Sequence, residues 1–373
     1  MANMRRHYIT IALATLLLVS SCHRERQTER QAPTETFTVE VLLKSTPLKR
    51  QGNGALCWLY AMLSTIETEH IMRGDSINLS AVFLAKHLLA DEARLRYASD
   101  GKHDITLRGM ATKTFHLLQQ HGAMPFSSFR PSKNIDYKGL SRQMQRTADN
   151  HRAHRKGIGL LDAATGKILE EAMGPAPSWV FMLGCQYTPL EFAHSIYTPK
   201  EYVALTSFTH HPFGTMMVLE VPDNHYRDAF LNVPIDSMMQ YVEHALRSGH
   251  PVCWEGDISE PGYDAHAGVA RLTSKKAVTQ ESRQQAFDRQ QTTDDHCLAI
   301  IGIARDKKGK KLFVCKDSWG NNLQCGLMFL DEDYVKAKTI AVVIPAAALP
   351  TADQLISHST SNWWEDDSYI EKP

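Results

Sequence analysis

The sequence lacks a net charge, because its 41 lysines and arginines are matched by 41 aspartates and glutamates. A strongly basic balance is typical of proteins that bind nucleic acid, so we expect no nucleic-acid partner. Cysteines are few, seven in 373 residues, and no two of them form a Cys-x-x-Cys pair. His210-His211 has no partner nearby at ligand spacing. The sequence therefore predicts no metal site and no cofactor.

Long apolar runs and internal repeats are missing as well. Beyond the first 22 residues, no apolar run reaches the roughly 20 residues that a membrane-spanning helix needs. The whole chain is 43% hydrophobic, which is enough for a sizeable core. A core of this size can lie in one large domain or in two closely packed ones, and the oligomeric state stays open.

The first residues have the pattern of an exported protein. Two arginines precede an apolar run from Ile9 to Val19, which is followed by Ser20-Ser21-Cys22. A basic start, a short apolar run and small residues at its end are typical of a secretory signal peptide. The segment that ends at Cys22 resembles a bacterial lipobox, which implies lipidation of Cys22 and removal of residues 1–21. The alternative is an ordinary signal peptide in which Cys22 is incidental.

The polar residues that follow predict a tether to a membrane. Residues 23–36 are polar and have no periodicity, as in a flexible linker, and we place the tether at residues 22–40. With a lipid anchor on Cys22, the protein is expected in the bacterial cell envelope, facing the periplasm or the surface. His23, rather than aspartate, follows the cysteine and favours the outer over the inner membrane.

The segment QGNGALCWLYAM, residues 51–62, raises the question of what Cys57 does. It can be a buried small hydrophobe, one half of a disulfide or a nucleophile. Apolar residues at Leu59, Met62, Leu63 and Ile66 predict a helix of about 15 residues with one buried face. Cys57 then lies in its first turn, where the helix dipole and free N–H groups lower the pKa of a thiol.

The rest of the chain predicts an α+β fold with a cleft between a helical half and a strand-rich half. A second helix is expected after Ser80, a third over residues 110–120, and a solvated helical insertion, rather than a binding patch, over residues 131–176. The later half contains short β-branched and aromatic runs typical of strands. These runs cover residues 179–183, 202–208, 216–221, 251–256, 297–303, 312–316, 327–330 and 340–344.

Two later blocks can complete a nucleophilic site. A thiolate needs a base, a group that orients the base, and donors for the oxyanion. DDHCLAIIGI at 294–303 places His296 at the start of a buried strand, and CKDSWGNN at 315–322 places a polar residue beside a tryptophan.

The three blocks resemble, in order, the active-site segments of papain-like cysteine peptidases. His296 follows Cys57 by 239 positions, more than the roughly 130–150 of the compact papain type. This excess is similar to the bleomycin hydrolase and bacterial aminopeptidase C branch. The resemblance implies a two-lobed domain over residues 41–345, with a helical N-terminal lobe and an antiparallel β-barrel-like C-terminal lobe.

The resemblance also implies roles for individual residues. Cys57 would be the nucleophile and His296 the base, with Gln51 and the Cys57 backbone N–H as the oxyanion hole. Asp317 stands where the family usually has asparagine, and we expect it to accept a hydrogen bond from Nδ1 of His296 and to raise its pKa. Supporting and substrate-binding residues follow by position: Trp58, Trp319, Arg108, Gly109 and Asp295. Cys297, where alanine is frequent, is interpreted as a core residue.

The implied function is hydrolysis of peptide substrates through an acyl-enzyme. In the bleomycin hydrolase branch the chain end restricts the cleft, and residues 346–373 contain Trp363-Trp364 beside three acidic residues. We therefore expect an aminopeptidase, with an endopeptidase as the first alternative. The second alternative is a catalytically silent domain of the same fold that binds peptides.

Overall fold

The computed structural model of the protein describes residues 35–130, 134–182, 184–320 and 322–349. The predicted signal peptide, Cys22, most of the tether and the tail beyond residue 349 lie outside these ranges. Within them, no helix is both long enough and apolar enough to cross a lipid bilayer.

The fold class is α+β, as predicted, with helices first and a large sheet formed mostly by the second half. The helices are α1 (Cys57–Met72), α2 (Ala81–Ala98), α3 (Lys113–His121), α4 (Tyr137–Ala153), α5 (Ile158–Met173), α6 (Pro189–Ile196), α7 (Ile235–Arg247), α8 (Gln280–Asp288) and α9 (Glu332–Lys338). The strands are β1 (Thr38–Leu42), β2 (Val180–Met182), β3 (Cys185–Tyr187), β4 (Tyr202–Thr206), β5 (Met216–Val218), β6 (Ala229–Asn232), β7 (Val252–Gly256), β8 (Tyr263–Asp264), β9 (Val269–Ala270), β10 (His296–Arg305), β11 (Lys311–Lys316), β12 (Leu327–Asp331) and β13 (Thr339–Pro345).

Helix α1 is buried between the other helices and the sheet. It has 16 residues and begins at Cys57, and Gly74 follows it with a φ of +100°, a conformation that favours glycine. Every residue from Trp58 to His70 is buried, so the prediction of one buried face is wrong. The reason is that α1 packs against α2 and α3 on one side and against β7 and β10 on the other.

The next two helices lie close to their predicted positions. The Ser80 hydroxyl caps α2 by accepting a hydrogen bond from the Phe83 N–H at 3.2 Å. Helix α3 begins three residues later than predicted. The N–H of Ala111, just before it, donates to the carboxylate of Glu255 on the sheet at 2.7 Å.

Helices α4 and α5 fall within the segment that was interpreted as a helical insertion, residues 131–176. Both are amphipathic and pack against α2. Leu140, Met144 and Ala148 form the buried face of α4. The polar remainder of α4 explains why the segment looks solvated in the sequence.

One sheet holds most of the strands, in the order β5-β6-β4-β13-β7-β10-β11-β12-β9-β8, and β1 also pairs with β10. All eight predicted strand runs form strands. The pairs are antiparallel, as expected, except for β4–β6 and β9–β12, which are parallel. The sequence does not predict five further strands, which are short or only partly apolar: β1, β3, β6, β8 and β9.

The sheet register places the start of β10 at the edge of a cleft. His296, the first residue of β10, pairs with Gly256 at the end of β7, and Ala299 pairs with Lys316 at the end of β11. One hydrophobic core lies among the helices and a second lies between the sheet and α7. Cys57 and His296 therefore meet where the two cores adjoin.

Candidate active site

Cys57 is the first residue of α1 and is half-buried. The first N–H groups of a helix have no partner within the helix, and the helix dipole favours negative charge there. Leu56, at the N-cap, makes no side-chain capping bond. The N-terminus of α1 can therefore stabilise a thiolate at Cys57 and an oxyanion beside it.

His296 and Asp317 form a buried hydrogen-bonded pair. Nε2 of His296 lies 2.9 Å from Oδ1 of Asp317, and the two side chains are 1% and 4% exposed. The prediction that Asp317 accepts from Nδ1 is wrong. The orientation of the ring, set by the start of β10, turns Nε2 to Asp317 and leaves Nδ1 for Cys57.

Trp319 covers this pair, as the sequence predicts. Its ring centroid lies 4.4 Å from that of His296, and its backbone N–H donates to Oδ1 of Asp317 at 3.3 Å. Trp319 is 45% exposed, so its outer face meets solvent while its inner face meets the imidazole. The hydrogen bond between His296 and Asp317 is thereby kept from water, which strengthens it.

Thiol and imidazole shift each other's pKa in opposite directions. A hydrogen bond from Cys297 is the largest contribution that lowers the pKa of Cys57 well below its ordinary value; burial opposes it, and contact with His296 adds to it. Burial lowers the pKa of His296, but hydrogen bonds to Asp317 and Cys57 outweigh it and raise that pKa to about 9. Both shifts favour the thiolate and imidazolium forms of the pair at neutral pH.

Gln51 lies beside Cys57 with its side chain buried. Its amide nitrogen donates to the Gly54 carbonyl at 2.8 Å, and its amide oxygen accepts from the Ser318 hydroxyl at 2.6 Å. The amide nitrogen has a second N–H. These two bonds fix the orientation of the amide and leave that N–H available, and its role as an oxyanion donor stays a prediction.

The structure brings Trp58, Gly109 and Arg108 together beside the cleft. Trp58 is buried, and its indole N–H donates to the Leu107 carbonyl at 2.9 Å. A Cβ on Gly109 would lie 3.2 Å from the Trp58 ring and 2.6 Å from Lys113, so close packing requires glycine there. Arg108 is exposed and bonds the carboxylate of Asp223. The substrate-binding roles of Gly109 and Arg108 stay predictions.

Asp295 takes a different position from the other predicted residues. Its carboxylate accepts from the Thr293 hydroxyl at 3.1 Å, and burial and then a hydrogen bond with Asp257 raise its pKa. Its neighbour Asp294, rather than Asp295, accepts a hydrogen bond from Arg108. Its role in binding substrate is a prediction that these contacts leave untested.

The sequence did not indicate that two residues, Cys297 and Glu255, lie close to the Cys57 thiolate. Cys297 is buried, as interpreted, and its thiol lies between the Cys57 sulfur and Oε1 of Glu255, which is 3.2 Å away. A thiol has one S–H, so it donates to one of these two groups at a time. Burial raises the pKa of Glu255 to about 8. The available signal was a glutamate within the otherwise apolar strand run VCWEG.

The histidine pair away from the cleft also has a partner that sequence spacing did not indicate. Glu220 lies 3.1 Å from Nε2 of His210 and 2.7 Å from Nε2 of His211. The expectation that no ligand residue lies near these histidines is therefore wrong. The turn over residues 209–215 reverses the chain before β5. Glu220, ten residues after His210, thereby comes close to both histidines.

Comparisons with known proteins concern the sequence family of this chain and its fold. A sequence profile of the Peptidase C1-like family matches residues 181–362, which include His296 and Asp317 but not Gln51 or Cys57. No curated protein matches the sequence.

The solved structure of PepW from Lactobacillus rhamnosis is similar, with a TM-score of 0.61 and 16% identity over 87% of this chain and 85% of that one. Xylellain, a cysteine protease from Xylella fastidiosa, matches with a TM-score of 0.43 and 14% identity over 83% of this chain and 87% of that one. The bromelain protease from Ananas comosus gives 0.39 and 14%, over 81% and 93%. The similarity to PepW concerns the fold alone.

The chain thus has a papain-like α+β fold, as its three sequence blocks implied. The profile match in the C-terminal half and this fold together support a papain-like cysteine peptidase. The bleomycin hydrolase branch stays a prediction.

Proposed function

We propose that this protein is a cysteine peptidase that hydrolyses peptide bonds. The observation that carries the proposal is the series Cys57–His296–Asp317 at the N-terminus of α1, in which Nε2 of His296 is held by Asp317 at 2.9 Å. This bond leaves Nδ1 to exchange a proton with the thiol.

The reaction follows from these positions. The Cys57 sulfur attacks the peptide carbonyl carbon, and the carbonyl oxygen becomes an oxyanion held by the Gln51 amide and the Cys57 N–H. His296 gives its proton to the leaving amine as the C–N bond breaks. Water then loses a proton to His296 and attacks the thioester. The acid leaves, and Cys57 regains its thiolate beside the imidazolium.

Thiol labelling tests the proposal most directly. We expect a peptidyl epoxide to modify Cys57 at neutral pH, with the site located by peptide mapping because the exposed Cys185 and Cys325 can also react with iodoacetamide. Cys57→Ala should abolish both this modification and the hydrolysis of peptides. Cys315→Ala, which removes another buried thiol, is the control and should label normally. If Cys57 proves inert, the silent peptide-binding alternative is favoured instead.

The proposal extends to an aminopeptidase anchored to the cell envelope through lipidated Cys22. Peptide libraries analysed by mass spectrometry should show removal of N-terminal residues, and internal cleavage of N-acetylated peptides would favour the endopeptidase. Palmitate should label the wild type but not Cys22→Ala. Lack of labelling in the wild type would contradict the anchor.

A further inference from the structure

Two carboxylate oxygens next to the nucleophile have no hydrogen-bond partner within the part of the chain that the structure describes. They are Oε2 of Glu255 and Oδ2 of Asp294, and both atoms are buried. Glu255 as a whole is only 1% exposed. Buried carboxyl groups normally have all their oxygens bonded, so these two atoms require an explanation.

The two carboxylates lie between the lobes, beside the cleft. Oε1 of Glu255, on β7, accepts from the Ala111 N–H of the helical lobe at 2.7 Å and from the Cys297 thiol. Asp294 comes two residues before His296, and its carbonyl accepts from Arg108 at 3.0 Å. Both carboxylates thus adjoin segment 108–111, which contains the expected substrate-binding residues Arg108 and Gly109.

The charges around these oxygens favour a cation. Asp223 lies close enough to affect the pKa of both carboxyls, and the Cys57 thiolate acts on both in the same direction. Burial, and then the negative charges of Glu255, Asp223 and Cys57, raise the pKa of Asp294 well above its ordinary value, and burial raises the pKa of Glu255 to about 8. Both shifts favour the protonated carboxyls at neutral pH, so a cation would bind here by replacing a proton. An anion would be repelled here, and an apolar group would leave both oxygens unbonded.

Arg108 satisfies only one member of this acidic group. Its guanidinium bonds Asp223 at 2.9 and 2.8 Å and the Asp294 carbonyl, but it leaves Oδ2 of Asp294 unpaired. The Arg108 side chain is 52% exposed and lies at the rim. A second positive group with N–H donors is therefore what the inner oxygens lack.

We propose that Glu255 and Asp294 form a subsite for a positively charged group of the peptide substrate, an ammonium or a guanidinium upstream of the scissile bond. The inference rests on the proposed peptidase function and narrows its substrate class. The group is either the α-amino group of a short N-terminal segment or a lysine or arginine side chain. Its N–H donors would bond Oε2 and Oδ2, and its charge would stabilise the ionised carboxylates in place of their protons.

Four matched substrates separate the two sources. Each has the form Xaa-Ala-aminocoumarin, where Xaa is lysine or its uncharged analogue norleucine, with a free or an acetylated α-amino group. If the α-amino group binds, acetylation lowers kcat/KM by at least about tenfold for either side chain. If the side chain binds, lysine exceeds norleucine by that factor whether or not the amine is blocked. Equal rates for all four would overturn the proposal.

The binding of the same compounds to the full-length Cys57→Ser variant keeps this inference apart from the proposed chemistry. Calorimetry should show the same charge preference in affinity, even if the wild type hydrolyses nothing. In that event the peptidase proposal fails and the subsite stands. Hydrolysis of all four compounds without any charge preference would support the peptidase proposal and overturn the subsite.

Variants of the subsite complete the test. Glu255→Gln and Asp294→Asn should each reduce the preference for the charged compound, whereas Glu220→Gln, on the surface away from the cleft, should keep it. If Glu255→Gln fails to fold, Asp294→Asn and the wild-type panel still decide. An unchanged preference in a folded Glu255→Gln variant would overturn the assignment of Glu255.

Discussion

Oδ1 of Asp317 lies 2.9 Å from Nε2 of His296, in a pair shielded from solvent by Trp319. A carboxylate, unlike the asparagine that the family resemblance leads one to expect, places a full negative charge next to the base. Its hydrogen bond is one of the contributions that raise the pKa of His296 to about 9. The imidazolium form of His296 is therefore favoured from two sides, by Asp317 at one ring nitrogen and by the Cys57 thiolate at the other.

Replacing this carboxylate should change the pH dependence more than the chemistry. In Asp317→Asn the amide oxygen can still accept from Nε2, but the charge is gone and the pKa of His296 falls. The imidazolium then loses its proton at a lower pH, so we expect the alkaline limb of the kcat/KM profile to move to lower pH while substantial activity remains. Asp236→Asn, on the exposed side of α7, should leave the profile unchanged. An identical profile in Asp317→Asn would show that the charge does not reach His296.

Removing the thiol beside the nucleophile should make Cys57 less acidic. The hydrogen bond from Cys297 is the largest contribution that lowers the pKa of Cys57. In Cys297→Ala we therefore expect the pH midpoint of iodoacetamide labelling at Cys57 to rise. Cys315→Ala removes a buried thiol of the same size from β11 and should keep the wild-type midpoint. A lower midpoint in Cys297→Ala would contradict the contact.

Gln51 should matter in the transition state only. Loss of one oxyanion donor typically lowers kcat by about 10²–10³, so we expect that loss in Gln51→Ala, with little change in KM. Ser318→Ala, which removes the hydroxyl that positions the Gln51 amide but keeps its N–H, should lose less. A change confined to KM would place Gln51 in substrate binding instead.

A buried carboxylate below the site should control stability. Glu67, on α1, is 1% exposed and accepts hydrogen bonds from Lys49, from the Thr46 hydroxyl and from the Leu79 N–H. Glu67→Gln leaves the buried Lys49 without its counter-charge, and removing one partner of a buried pair costs about 3–5 kcal/mol of unfolding free energy. Urea unfolding measures the loss. Glu243→Gln, which breaks surface pairs, should cost about 0–1 kcal/mol, and an equal loss in both variants would refute the role of Glu67.

The sequence predicted those parts of the structure that depend on local pattern or on motif resemblance. The stripe over Leu59–Ile66 predicts α1, and β-branched runs predict the main strands. Cys57, His296 and Asp317 were identified by the blocks around them, although 239 residues separate the first two.

Features that depend on tertiary geometry could not be predicted from the sequence. The ring nitrogen that meets Asp317 depends on how β10 enters the cleft, and the contact of Glu255 with Cys297 depends on the register that sets them opposite each other across β7 and β10. The burial of α1 on all sides depends on the sheet packing against it. No local pattern in the sequence encodes these relations.

The N-terminus of α4 holds the loop that carries Gln51 and Cys57. The Tyr137 N–H donates to the Asn53 side chain at 2.9 Å, Asn53 donates to Asp136 at 2.7 Å, and a Cβ on Gly54 would lie only 3.0 Å from the Tyr137 ring. An inserted segment thus fixes the conformation of this loop through two hydrogen bonds and one close packing contact. We expect a shortened version of this protein that omits α4 to leave the loop that carries Gln51 and Cys57 without these contacts.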